Sequence, residues 1–518
     1  MPCKGPIPYD IYLEVFSHIS NDDKATISAC SQLAPCFLEP MQKRLFKSID
    51  LEYRERSVED SRGLYDGFIV WADEMEESKS KMLLRALESN PKLATYIEEL
   101  KLTINDIPGY NMVSTLENKA ITANGLFSYL SSLASLSVIS DSSTEYEAYS
   151  KPLQSAIRQL LGRNTKLTNV NLSGIRDFVI TELQHLPSSV KSLTLGHIST
   201  LRPLLPGENP SSPGDQDGLA CAPTSLCITN PRALDTFLGA LHGEVEITDS
   251  YRVHRYKRCT PYLSFALLES LKISEISCVY RFRELLSFAD PHKLQHLQFK
   301  APFDSHITHS IIFRDHEAPT FTLERRLGAG PFNLNRVRLD LSDLSGLKSF
   351  QTHGKMTFIQ ENNLNGSPTT ISTHIPWLTQ MIEKLPRPDN DGLSSLDNNQ
   401  GPSLRSVRVL LDVTLIVIDD NNKSQEAFAS FNFSPLINAM KKLQRQYSRL
   451  HDAVCSLDFE VTVCQDDVPS EYPHYNVGKE DFLETLKSNP TLQDDFDDNK
   501  VMLQVLDVRR APYPSVPV

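Results

Sequence analysis

At 518 residues, with 52 Lys and Arg against 65 Asp and Glu, the chain carries a formal net charge of −13. That balance argues against general phosphate-backbone binding, which needs clustered basic residues. A hydrophobic share of 40% and a charged share of 23% suit a globular protein, and the length suits several domains or one long solenoid. No segment reaches the apolar length of a membrane span, and residues 1–30 lack a basic start followed by an apolar run. The sequence therefore predicts a cytoplasmic or nuclear protein with no membrane or nucleic-acid partner. Nine cysteines, none in a CxxC pair, predict reduced thiols.

Residues 1–50 read as three short helices. Pro8 suits a first helical turn, where its missing N–H has no intrahelical partner. Ile11, Val15 and Ile19 follow at steps of four, with Leu13 and Phe16 widening the apolar surface. Asn21, Asp22 and Asp23 offer N-caps for a second helix. Ile27, Cys30 and Leu33 give that helix an inner face before Pro35 interrupts it, and Pro40 starts a third helix carrying Met41, Leu45 and Phe46. Three helices this short bury little surface alone. Their spacing fits a docking module and a helical cap on a larger domain equally well.

The same residues resemble an F-box. The apolar-Pro pair Ile7-Pro8 is followed by Asp10 and Ile11, the middle carries Ala29-Cys30-Ser31 and Phe37, and the end reads Leu45-Phe46-Lys47-Ser48-Ile49. Ile7 replaces the usual Leu and Phe37 the usual Trp, and Pro35 falls inside the second segment. The resemblance implies docking onto a Skp adaptor of a cullin complex, through a neighbourhood of Ile7, Pro8, Ile11, Val15, Phe16, Leu33 and Phe37. Some of these must instead form the module's own core, and apolar residue type does not divide the two sets.

Residues 51–90 read as a connector and a helix over 77–90, with Met82, Leu83, Ala86 and Leu87 on one face and Asn90-Pro91 ending it. From residue 91 a unit recurs with apolar residues at positions 1, 4 and 6. Its copies are Ile97/Leu100/Leu102, Leu133/Leu136/Val138, Leu167/Val170/Leu172, Val190/Leu193/Leu195 and Leu268/Leu271/Ile273. They continue as Leu294/Leu297/Phe299, Leu334/Val337/Leu339, Leu404/Val407/Val409 and Val454/Leu457/Phe459. Such triplets arise by chance on the order of ten times in a chain this apolar, so context decides: polar residues separate the apolar ones, and helix-like stretches or Pro/Asn breaks precede several copies. This is the LxxLxL strand of a leucine-rich repeat. Ile97 to Asn105 supplies IxxLxLxxN, and residues 84–102 resemble the first helix and strand of fungal-type F-box proteins with divergent repeats.

The fold expected is α/β: an F-box over 1–50, a connector and helix over 51–90, an irregular leucine-rich-repeat-like solenoid with loop insertions over 91–510, and a flexible tail over 511–518. The Pro- and Gly-rich stretches 203–223, 360–373 and 386–402 read as loops. A helix from Ser434-Pro435 bears Ile437, Met440, Leu443, Tyr447 and Leu450, and Leu457, Phe459, Val461 and Val463 alternate as a strand. Leu486 to Leu492 repeats the Asn-Pro helix end.

No Walker A, HExxH, GxSxG or GxGxxG motif is present. His292/His296 and His306/His309 lack further ligands, Asp494–Asp498 lacks the glycine and terminal Glu of a calcium loop, and Cys221 and Cys227 read as buried thiols. The sequence therefore predicts no catalytic residues, cofactor or metal. With the F-box resemblance, it predicts a non-catalytic substrate-recognition adaptor of an SCF-type ubiquitin ligase. The alternative is a repeat-based scaffold with no ubiquitin role, its N-terminal helices serving as a solenoid cap.

Overall fold

A computed structural model describes residues 9–21, 23–55, 79–106, 125–140, 151–175, 178, 180–196, 221–229, 244–249, 252–257, 263–274, 276, 279–301, 309–313, 339–360, 369–387, 404–417, 423–447, 454–465, 475–476, 479–493 and 501–512. Ile7, Pro8, Leu334, Val337, His306, the run 494–498 and most of the expected loops lie outside them. The chain divides into two compact units, Met1–Phe265 and Ala266–Val518.

The first unit begins with helices α1 (Tyr9–Ser17), α2 (Lys24–Leu33) and α3 (Pro35–Phe46), followed by strand β1 (Ser48–Glu55) and helix α4 (Lys79–Ser89). Then come β2 (Glu99–Asp106), β3 (Ser135–Ser140), α5 (Lys151–Arg163), β4 (Asn169–Ser173), β5 (Ser192–Leu195) and β6 (Ser225–Ile228). Strands β1 to β6 pair in chain order and all in parallel. A separate antiparallel pair, β7 (Glu244–Asp249) and β8 (Arg252–Lys257), follows.

The expected triplets explain the parallel order. Leu100, Leu136, Val170, Leu193 and Leu226 are register partners across β2 to β6, each 2% exposed or less. Just before each strand a forked hydrogen bond repeats. The Lys47 carbonyl accepts from the N–H of both Glu98 and Glu99, at 3.0 and 2.9 Å. The Glu98 carbonyl accepts from Ala134 and Ser135, Ala134 from Thr168 and Asn169, Thr168 from Lys191 and Ser192, and Lys191 from Thr224 and Ser225.

In the second unit β9 (Ser270–Ile273), α6 (Val279–Leu286), β10 (His296–Lys300) and β11 (His309–Phe313) precede β12 (Ser349–Gln360), β13 (Thr369–Thr373) and α7 (Ile375–Glu383). Next come β14 (Ser406–Val417), α8 (Lys423–Ala429), α9 (Ser434–Tyr447), β15 (Val454–Gln465), β16 (Tyr475–Asn476), α10 (Lys479–Ser488) and β17 (Met502–Pro512). Strands β9, β10, β12, β14, β15 and β17 form a parallel sheet in that order, while β13 runs antiparallel to β12 and β11, and β16 antiparallel to β17. Rings of Phe358, Phe428, Phe433, Phe459 and Phe482 pack between the sheet and helices α8 and α10. Gly354 of β12 admits α7, since a Cβ there would meet Leu378 Cδ1 at 2.6 Å.

Several expectations need correction. Pro35, not Pro40, starts the third helix; Pro40 lies inside α3, and extended Ala34 separates α2 from it. Met82 is 50% exposed while Leu83 and Leu87 are buried. Strand β1 runs across the boundary expected at residue 50. Val454 is exposed because the register partners of Val407 and Val409 are Cys455 and Leu457, two residues earlier than the expected Leu457 and Phe459. One copy, Leu347/Phe350/Thr352, was missed because its third position is a threonine, here fully buried.

The Asn that ends a helix before a strand has a structural task. Asn164 is fully buried; its Oδ1 accepts from the Leu133 N–H at 2.9 Å, and its Nδ2 donates to the Leu130 and Leu160 carbonyls. Asn489 works alike, donating to Phe428 and Phe431 carbonyls and accepting from Thr491 N–H. Asn164→Leu should cost about 3 kcal/mol through a stranded buried amide, against less than about 0.5 for Asn169→Ala on the exposed side of β4. Urea unfolding of the two variants checks this; equal midpoints would show that the Asn164 bonds add nothing net.

Candidate protein-docking site

Helices α1, α2 and α3 enclose a small core of Phe16, Ile27, Cys30, Phe37 and Met41, with Tyr12, Ile19, Cys36 and Leu45 packed at its edge. Phe16 and Phe37 meet edge to face with centroids 5.0 Å apart, and Tyr12 stands 5.2 Å from Phe37. Asp23 is the N-cap of α2: its carboxylate accepts from the Thr26 N–H at 3.0 Å, and the Thr26 side chain, then this N–H, holds its carboxyl below the usual range. Cys36 is disulfide-bonded, so the expectation of reduced thiols fails there, whereas Cys30, Cys221, Cys227, Cys455 and Cys464 form no disulfide. Cys221 is buried as expected; Cys227 is half-buried.

Two basic residues lock the module, and sequence reasoning named neither. The Arg44 guanidinium donates to the carbonyls of Phe16 and Ile19 at the end of α1 and to Asn21 Oδ1, supplying donors where a helix C-terminus has unpaired acceptors. Lys24 Nζ bonds the Leu45 and Ser48 carbonyls at 3.0 and 3.2 Å, tying α2 to the end of α3 and the start of β1. A basic residue near a helix end was the available signal, but its partner lies more than 20 positions away.

The structure divides the expected docking residues. Phe16 and Phe37 are core, at 6% and 5% exposure. Ile11, Val15 and Leu33 face outward at 52%, 58% and 69%, joined by Leu38 at 45%. On α1 the steps are regular: Ile11 and Val15 form the outer part of an apolar arc whose inner part is Tyr12, Phe16 and Ile19.

Within the first unit the module is also tied to the turn that precedes β2. Glu39 of α3 accepts from Lys92 Nζ and from the Tyr96 hydroxyl, each at 3.2 Å, in the 3-10 turn Pro91–Tyr96. The Lys92 bond, then Lys43, holds the Glu39 carboxyl below its usual range.

Among the described residues no group of three or more His, Cys, Asp or Glu is placed to hold a metal ion, and no helix is long and apolar enough to cross a membrane. No protein-family model and no curated protein matches the chain.

Phe16→Ala should destabilise the module by about 3–5 kcal/mol, whereas Ile11→Asp should change stability by less than about 0.5 kcal/mol; hydrogen exchange at α2 and α3 reads the difference. A depressed carboxyl contributes stability above its unfolded pKa and loses it as pH falls through the folded one. Glu39→Gln should therefore lower the urea midpoint at neutral pH, by an amount that shrinks as the pH falls below the usual carboxylate range.

Proposed function

We propose that the chain is a non-catalytic substrate-recognition adaptor of an SCF-type ubiquitin ligase, its helical module an F-box and its parallel sheets an irregular leucine-rich-repeat-like solenoid. The observation that carries this reading is the division within α1 to α3. Phe16, Phe37 and Met41 share one buried core, and Ile11, Val15, Leu33 and Leu38 remain outside it as large exposed apolar side chains. Such residues suit a hydrophobic docking face for a Skp adaptor, and the fork-bonded strands suit an extended surface for a target protein. The chain then supplies proximity and orientation, with catalysis left to the conjugating enzyme.

The seating of Glu39 on Lys92 and Tyr96 favours a second reading, in which the helices cap a binding scaffold. Co-purification separates the two. Wild type should recover a Skp adaptor, Ile11→Asp with Val15→Asp should reduce recovery at least about tenfold, as loss of central apolar contacts does, and a chain lacking residues 1–46 should stay soluble. No adaptor with wild type, or equal recovery with the double variant, overturns the adaptor reading, and aggregation of the shortened chain favours the cap.

A further inference from the structure

We draw no further inference here: the strongest candidate, the charged cleft on the outward face of β12, β14, β15 and β17, has Lys300 and Arg509 beside its carboxylates, and nothing in the structure shows what covers it.

Discussion

One backbone interaction organises both units: a single carbonyl accepting two consecutive N–H groups from the chain segment that begins the next strand. A carbonyl oxygen has two lone pairs, so the fork satisfies donors and acceptor together. In the second unit it joins Glu269 to Gln295 and His296, Gln295 to Lys348 and Ser349, and Lys348 to Arg405 and Ser406. Each fork fixes where the next strand starts. The apolar residue just before it, such as Leu167, Leu294 or Leu404, and those three and five positions later are then forced into the core. The connections can differ greatly in length because nothing in them sets the register. That is why copies spaced irregularly in sequence still align in space.

This dependence also explains what was legible in the sequence. Most of the 1-4-6 triplets were readable because the fork converts a spacing into burial. The failures occurred where pattern and register part company. Along β15 the alternation Cys455, Leu457, Phe459, Val461 matches the triplet at more than one offset, and period two gives no reason to choose between them. Only pairing with β14 selects Cys455 and Leu457. Thr352 occupies an apolar position with its hydroxyl unpartnered, so a reading that requires aliphatics passes over it.

In the helical module the limit was of another kind. A helix of nine residues that is apolar across an arc wider than one neighbour can cover must leave part of that arc exposed. The sequence shows the whole arc; which part is inside depends on where α2 and α3 lie, and that is set by Arg44, Lys24 and Glu39 acting across 20 or more positions. Either Pro35 or Pro40 fits a first helical turn by residue type; extended Ala34 decides for Pro35.

Because the forks and the inward apolar residues hold the strands, the outward residues are left with little structural duty, and the two units use that freedom differently. Across β3 to β5 of the first unit the outward positions are small and uncharged, including Ser137, Asn171 and Thr194, with Asn171 donating to Ser137 at 3.1 Å. Across β12 to β17 of the second they include a row of charged residues, Lys355, Asp412, Glu460 and Asp507. Stability alone does not ask for three adjacent carboxylates, since a row of Ser and Asn closes the same kind of sheet at no electrostatic cost. Here Lys300 and Arg509 supply the compensation, so the second unit closes its outward row with ion pairs where the first closes it with neutral hydrogen bonds.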